Sequence, residues 1–135
     1  MPWCTFTHPE VARVGLNEQE AKAKGIPFEV SKYGIDDLDR AIADEEAEGF
    51  VKLITAPQSG KLLGVTIVGD HAGDLLHEYI LAMKAGLGVK DVLSMIHIYP
   101  TLAESSRFAA SEWQKAHLNP TLLSISEKLN RWLRG

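Results

Sequence analysis

The sequence has a single cysteine and no long apolar run. Cys4 is the only cysteine among 135 residues, so one copy of the chain contains neither an internal disulfide nor a Cys-x-x-Cys redox pair. Nothing beside Cys4 is expected to lower its pKa, and we interpret it as a small strand residue. No segment approaches the roughly 20 apolar residues that cross a bilayer, and no basic-then-apolar leader opens the chain. We therefore expect a cytoplasmic protein with no membrane segment.

Positive charge is also not in excess. The chain has 18 acidic and 14 basic residues, a net charge of −4. Nucleic-acid affinity depends mainly on neutralising phosphates, so this balance argues against a nucleic-acid partner. The apolar content of 45% and charged content of 24% are those of an ordinary globular domain, and the length predicts one domain with a hydrophobic core.

No loop suited to a dinucleotide is found either. Gly86-Leu87-Gly88 follows a predicted helix and lacks a third glycine, whereas a pyrophosphate loop follows a strand and opens a helix. Ser59-Gly60-Lys61 precedes a strand and lacks the spacing of a phosphate loop. We therefore expect that the chain binds no flavin or nicotinamide in a Rossmann fold of its own.

Hydrophobic periodicity predicts an α+β fold. Strands are predicted over residues 3–7, 11–14, 28–33, 50–55 and 61–68, the last two paired as a hairpin around Pro57 and Gly60. Helices are predicted from Asn17, from Asp74 to about residue 85, and over residues 89–95, 102–117 and 119–135. Residues 36–48 are acidic and indicate a solvated connection with a helical turn. This order predicts an antiparallel sheet with helices packed on one side, a two-layer sandwich.

The stretch from His97 to Glu104 concentrates the polar side chains of chemical interest. Pro100 disfavours helical geometry for Tyr99, so we expect this phenol to be presented from a loop. Thr101-x-x-Glu104 matches a capping box, which is the structural interpretation of Glu104. The catalytic interpretation is acid–base chemistry by Tyr99 and Glu104, with His97 as the neighbour that lowers the pKa of the phenol.

A metal site is a further alternative. Asp70, His71, Asp74 and His77 crowd one predicted helix entrance. The six-residue spacing of the two histidines does not place both imidazoles on one helical face, unlike the four-residue spacing of metalloprotease helices. We therefore predict no metal here.

The sequence HIYPTLAE at residues 97–104 resembles the His-x-His-Pro-Thr-x-x-Glu signature of the pyridine nucleotide-disulfide oxidoreductases. Tyr99 occupies the position of the second histidine of that signature. Residues 6–16 resemble the segment that opens the C-terminal domain of this family, and residues 49–53, 60–64 and 67–76 resemble its hairpin and following helix. Mercuric reductase also lacks that histidine, which favours its branch, but no cysteine pair ends this chain.

The resemblance implies the C-terminal dimerisation domain of an FAD-dependent, NAD(P)H-using oxidoreductase, inactive alone and without a cofactor of its own. It implies a dimerisation domain at residues 1–117, with the FAD and NAD(P) domains missing. The apolar spacing of the last residues, and not the resemblance, predicts an amphipathic helical extension at residues 118–135. In a homodimer, Tyr99 and Glu104 would act on the partner subunit, and His97, Tyr99 and Pro100 would line the partner's FAD pocket. The alternative is a free-standing, non-catalytic dimeric binding module derived from that domain, because Tyr99 replaces the acid–base histidine.

Overall fold

A computed structural model describes residues 1–118 of the chain. This part contains five strands and five α-helices. They are β1 (Trp3–Thr5), β2 (Glu10–Gly15), α1 (Glu18–Ala23), β3 (Glu29–Gly34), α2 (Asp39–Ala43), β4 (Phe50–Thr55), β5 (Leu62–Gly69), α3 (Ala72–Ala85), α4 (Val89–Ser94) and α5 (Glu104–Ala116). The helix predicted over residues 119–135 lies outside the described residues.

The five strands form one antiparallel sheet in the order β1-β2-β5-β4-β3. The predicted hairpin is β4–β5, in which Val51 lies opposite Ile67 and Leu53 opposite Val65. Its turn is closed by the N–H of Ala56, which donates to the carbonyl of Lys61 at 2.9 Å. The sequence-based prediction of an α+β fold with an antiparallel sheet is confirmed.

The main core lies between the sheet and helices α3 and α5. Successive strand residues point to opposite faces, so Val51, Leu53, Val65 and Ile67 share the face that these helices cover. Tyr79 of α3 and Trp113 of α5 are buried in the same cluster. The two long helices therefore pack on one side of the sheet, as the periodicity predicts.

The short helix α1 contacts the opposite face of the sheet. Its predicted cap is present: Asn17 accepts a hydrogen bond from the N–H of Glu20, and the Glu20 carboxylate accepts one from the N–H of Asn17. Glu18 accepts a hydrogen bond from Lys52 of β4, and Glu20 accepts one from Arg13 of β2. Lys52 and Arg13 alternate with core-facing residues, so α1 adds a small polar layer beyond the predicted sandwich.

The acidic connection contributes more to the core than the sequence indicates. A 3₁₀ turn at Ile35–Asp37 precedes α2, and Ile35, Leu38 and Ala41 are buried together in a second, smaller cluster. Leu102, which lies just before α5, packs against that cluster. The segment over residues 36–48 thus has a solvated acidic side and an apolar side, instead of being solvated throughout.

The backbones of β2 and β5 lie very close together at one end of their antiparallel pairing. Gly15 lies opposite Gly64, and the N–H of Leu16 donates to the carbonyl of Leu63 at 2.9 Å. A Cβ atom on Gly64 would lie 1.9 Å from the carbonyl oxygen of Leu16. Glycine at position 64 is therefore required by space.

Within residues 1–118, none of the helices has the length and apolar character needed to cross a membrane.

Candidate functional site

The loop between α4 and α5 carries the residues of chemical interest. Helix α4 ends at Ser94 and α5 begins at Glu104, so His97, Tyr99 and Pro100 all lie outside regular secondary structure. The peptide bond between Tyr99 and Pro100 is cis. Tyr99 is 67% exposed, so its phenol is presented from a loop as the position of Pro100 predicts.

The Tyr99 hydroxyl is hydrogen-bonded to a residue far away in the sequence. It donates to Oδ2 of Asp39, at the start of α2, at 2.9 Å. This hydrogen bond and the negative charge of Asp39 raise the pKa of Tyr99 above its ordinary value. Glu104 adds a smaller effect of the same sign. The expectation that a neighbour lowers the pKa of this phenol is therefore wrong, because the group beside the hydroxyl is a carboxylate.

The His97 imidazole is turned into the protein, away from the solvent-exposed phenol. Its Nε2 lies 3.0 Å from Oε1 and 3.3 Å from Oε2 of Glu78 on α3. The His97 side chain is only 5% exposed, and its Nδ1 is buried with no hydrogen-bond partner among the described residues. His97 thus connects the loop to α3 and does not act on Tyr99.

Glu104 has one of the two hydrogen bonds of a capping box. Its Oε2 accepts from the N–H of Thr101 at 3.1 Å. The Thr101 hydroxyl instead donates to the carbonyl of Ile98 at 2.6 Å, and α5 begins at Glu104, two residues later than predicted. The carboxylate therefore stabilises the entrance of α5, and its charge also lies near Tyr99.

Exposed apolar side chains surround this loop. We define the apolar face as Leu81, Leu87, Met95, Ile96 and Ile98, all large and exposed. Leu81, Leu87 and Met95 line a shallow cavity of about 230 Å³ between α3 and α4, with Glu78 also in its lining. Ile96 and Ile98 follow Met95 along the chain and are exposed as well. Large groups of exposed apolar side chains mark interaction sites in soluble proteins.

Two residues of this region are missed by sequence reasoning. Glu78 is 19 positions before its partner His97, and Asp39 is 60 positions before its partner Tyr99. Helical spacing relates residues three or four apart, so neither pairing has a local sequence signal. The one indication for Glu78 is an acid within a largely apolar stretch of α3.

The metal site considered as an alternative has no suitable geometry in the part of the chain that the structure describes. His71 lies 3.5 Å from Asp70 and 3.4 Å from Asp74, whereas the Nδ1 of His77 faces the carbonyl of Gly73 at 3.0 Å. No group of three or more His, Cys, Asp or Glu side chains over residues 1–118 is arranged to hold a metal.

Cys4 lies in β1, beside Glu10 of β2. Its Sγ is 4.0 Å from Oε2 of Glu10, which also accepts a hydrogen bond from the N–H of Gly73. Burial and, to a smaller degree, the charge of Glu10 raise the pKa of the thiol. A thiol with a raised pKa is a poor nucleophile, in keeping with a structural strand residue.

Replacing Asp39 with asparagine is expected to lower the pKa of Tyr99 toward the ordinary tyrosine value of about 10. Asp39→Asn removes the negative charge that opposes ionisation of the phenol. Because the folded chain binds the phenolic proton more tightly than the unfolded chain, this pair stabilises the fold below the ordinary pKa. That contribution is lost as the pH rises through the folded-state pKa.

Ultraviolet titration of tyrosinate measures this shift, with the Tyr99 signal assigned by subtracting a Tyr99→Phe titration. Asp37→Asn is the matched control, since Asp37 accepts the hydroxyl hydrogen bond of Tyr33 at 2.6 Å. A Tyr99 titration that is the same in Asp39→Asn and in the parent chain contradicts the described hydrogen bond.

Comparison with known proteins places these features in a family context. The sequence profile described as "Pyridine nucleotide-disulphide oxidoreductase, dimerisation domain" matches residues 1–110. The chain is 45% identical over 103 residues to dihydrolipoyl dehydrogenase of Mycoplasma pneumoniae, covering 76% of this chain and 22% of that protein. It is 39% identical over 110 residues to dihydrolipoamide dehydrogenase of Chaetomium thermophilum, covering 82% of this chain and 22% of that protein.

Solved structures share the fold. LpdA from Mycobacterium tuberculosis superposes with a TM-score of 0.77 at 25% identity, over 82% of this chain and 24% of that one. The HOCl-induced flavoprotein disulfide reductase RclA from Escherichia coli gives a TM-score of 0.78 at 23% identity, over 82% of this chain and 26% of that one. This second likeness is one of fold alone. The chain spans less than a quarter of the length of the two dehydrogenases it matches.

Proposed function

The chain belongs to the dimerisation-domain family of the pyridine nucleotide-disulphide oxidoreductases, and from this premise we propose that it joins two copies of an FAD-dependent, NAD(P)H-using oxidoreductase. In this proposal each copy supplies residues to the flavin site of the partner subunit. Residues 1–117 form the dimerisation domain and residues 118–135 a C-terminal helical extension. The domains that bind FAD and NAD(P)H are separate from this one.

The observation that carries the proposal is the apolar face beside the loop. Ile96 is 98% exposed, Ile98 78% and Leu81 66%, which is an unfavourable arrangement in water. Burying one such side chain contributes about 1.5–3 kcal/mol, and a two-fold interface buries each residue twice. Self-association through this face therefore has an adequate driving force, and helix α3 packs at or near the interface.

Tyr99 and Glu104 are the proposed catalytic residues, acting across the dimer. The Asp39 carboxylate holds the Tyr99 phenol in its protonated form, so Tyr99 does not act as a base, and it acts as a proton donor by turning its O–H from Asp39 to the reacting group. Glu104 holds the entrance of α5 and adds negative charge near the phenol. His97 fixes the loop that presents Tyr99 and Pro100 toward the partner's FAD.

The residues present fit the edge of a flavin pocket and not a complete one. Tyr99 offers an exposed hydroxyl, whose oxygen can accept a hydrogen bond while its proton is donated to Asp39, and Ile98 beside it offers an apolar side chain suited to a planar ring. In contrast, Gly86 and Gly88 close α3 and precede α4, with no strand before them to form a pyrophosphate loop. A flavin, when bound, supplies the electron-transfer chemistry, and the contribution of this chain is to orient and protonate.

The free-standing binding module is not favoured. The curated relatives described above are dehydrogenases more than four times as long as the matched region, and no observation on residues 1–118 indicates a different partner.

Sedimentation velocity on the purified 135-residue chain tests the proposal. At micromolar concentration we expect a dimer with no visible flavin absorption, because the apolar face is intact and the nucleotide-binding domains are absent. A chain that stays monomeric at about 100 μM, where even a weak interface is occupied, contradicts the proposed interface. Bound flavin at full occupancy contradicts the proposed division between domains.

Tyr99→Phe, made in the enzyme that carries the FAD and NAD(P) domains, is expected to lower kcat by about 100-fold, the lower limit typical of general acid–base residues. Phenylalanine keeps the ring and removes the proton. Tyr33→Phe is the matched control, because Tyr33 also donates its hydroxyl to an aspartate but lies on β3 and stacks on Phe108 of α5. Unchanged turnover in Tyr99→Phe shows that the phenol carries no proton in the reaction.

A further inference from the structure

The loop between α4 and α5 is held by few contacts of its own. Met95 donates its N–H to Val92, and the next backbone N–H in the described chain with a partner is that of Thr101. Ile96, Ile98 and Tyr99 are exposed, so their side chains contribute little to holding the loop on the domain. What fixes this loop must therefore be found among the remaining side chains.

His97 is the one side chain of residues 96–99 that is buried. It lies against Glu78, whose side chain is 20% exposed, so the contact is largely removed from water. The second contact of the loop, from Tyr99 to Asp39, is at the surface and open to solvent. Because a hydrogen bond to an ionised group is stronger when it is shielded from water, the Glu78 contact is the firmer of the two.

The geometry also defines the protonation of the imidazole. A carboxylate only accepts hydrogen bonds, so the nitrogen facing Glu78, Nε2, carries a proton. The other nitrogen, Nδ1, is buried with no partner among the described residues. A buried N–H without an acceptor costs more than an unpaired lone pair. The arrangement therefore places a proton on Nε2 and leaves Nδ1 as the nitrogen without a partner.

We propose that Glu78 is a positioning residue: by accepting the Nε2–H of His97, it fixes the loop between α4 and α5 and hence the orientation of Tyr99 at the apolar face. The consequence for Tyr99 rests on the proposed function, in which this face meets the partner subunit. His97 is then a fixed hydrogen-bond donor within the domain and carries no proton in the reaction.

Two variants of the 135-residue chain separate the hydrogen bond from simple packing. Glu78→Gln keeps the size and an acceptor oxygen, whereas Glu78→Leu keeps a similar size and removes the acceptor. Thermolysin cleaves before large apolar residues, so cleavage at Ile96 and Ile98 measures loop opening under conditions where the opened population controls the rate. We expect about tenfold faster cleavage in Glu78→Leu, the change that one unsatisfied buried donor produces, and wild-type cleavage in Glu78→Gln.

Nitrogen-15 NMR of the imidazoles gives a readout that packing alone does not move. We expect His97 to show the Nε2–H tautomer in the parent chain and in Glu78→Gln, and averaged tautomers in Glu78→Leu. The ring signals of Tyr99 are expected to shift in Glu78→Leu and to remain in place in Glu78→Gln. Rescue by glutamine thus distinguishes a positioning hydrogen bond from a role in filling space.

Glu112→Leu is the matched control, since Glu112 is also a helical glutamate with a side-chain partner, Lys115, but lies on the outside of α5. Cleavage and NMR signals should be unchanged in it. The proposal is overturned if Glu78→Leu behaves as the parent chain, or if His97 of the parent chain is found as the Nδ1–H tautomer, which has no proton to donate to Glu78. That second result needs no variant, so it applies even if Glu78→Leu does not fold.

The His97 tautomer does not depend on dimer formation, and cleavage is compared at a dilution at which the chains are monomeric, because Ile96 and Ile98 belong to the apolar face. A monomeric parent chain with a fixed loop contradicts the proposed interface and leaves the role of Glu78 intact. A dimeric parent chain together with wild-type cleavage in Glu78→Leu agrees with the proposed interface and contradicts the role of Glu78.

Discussion

Replacing Leu81 with aspartate is expected to weaken the dimer by at least roughly 1,000-fold, which corresponds to about 4 kcal/mol. Leu81 is exposed on α3 and lines the cavity of the apolar face, so the substitution leaves the fold of the single copy largely unaffected. In the dimer, each copy loses the burial of one leucine, about 1.5–3 kcal/mol. Each copy also buries a carboxylate without a partner, and both losses occur twice at a two-fold interface.

Sedimentation equilibrium of Leu81→Asp and the parent chain measures the change in dimer affinity. Val30→Asp is the matched control, because Val30 is also an exposed aliphatic residue. It lies on β3 next to Ser31, which is buried and faces the main core. Neighbouring strand residues point to opposite faces, so Val30 points to the other side of the sheet. We expect its dimer affinity to match that of the parent chain. If both substitutions weaken the dimer equally, the interface is not at the apolar face, because a charge on the other side of the sheet does not contact that face.

Replacing Gly64 with alanine is expected to lower the free energy of unfolding by about 3 kcal/mol, at the upper end of the usual cost of overpacking. The added Cβ would lie 1.9 Å from the carbonyl oxygen and 2.6 Å from the amide nitrogen of Leu16. Both are backbone atoms, so no side-chain rotation relieves the contact. The chain must separate β2 from β5 and weaken the hydrogen bond from Leu16 to Leu63.

Urea unfolding followed by tryptophan fluorescence measures this loss, since Trp113 is buried in the main core. Gly25→Ala is the matched control: Gly25 has φ of +63° but no atom within 4 Å of an added Cβ. Its expected cost is about 1 kcal/mol, from the left-handed backbone conformation alone. If the two substitutions cost the same, the close approach at Gly64 does not determine stability.

Much of the fold is encoded in signals that act over short distances along the chain. The alternation in residues 50–55 and 61–68 and the turn between them predict the β4–β5 hairpin, which the structure confirms. The cap at Asn17 and the end of α3 at Gly86, which adopts φ of +73°, are likewise present as predicted. These features depend on neighbours within four residues, so local physics is sufficient to find them.

Features that depend on tertiary contacts are less accessible from the sequence. The acidic composition of residues 36–48 predicts a solvated segment, but Leu38 and Ala41 within it are buried beside Ile35. Composition is an average over both sides of a short helix and does not show which side is buried. Helix α5 begins at Glu104 and not at residue 102. The Thr101 hydroxyl is hydrogen-bonded to the carbonyl of Ile98 and therefore does not cap the helix. In both cases a contact made by the folded chain overrides the local pattern.

The candidate site divides in the same way. His97, Tyr99 and Glu104 are found in the sequence because they share one short stretch with a family resemblance. Glu78 and Asp39, which fix the orientation of that stretch, are contributed by α3 and α2 from 19 and 60 residues away. The sequence therefore identifies the residues presented by the loop, and the structure is needed to identify those that support it.

The arrangement of the sheet also influences how copies of the chain assemble. An open sheet leaves two strands with unpaired backbone groups, where further strands can add and extend into fibres. Here one outer strand, β1, has only three residues, and the other, β3, carries Glu29 and Lys32 and ends at a glycine. A short edge strand and a charged one both discourage lateral growth, which is consistent with the proposed association of two copies through the helical side.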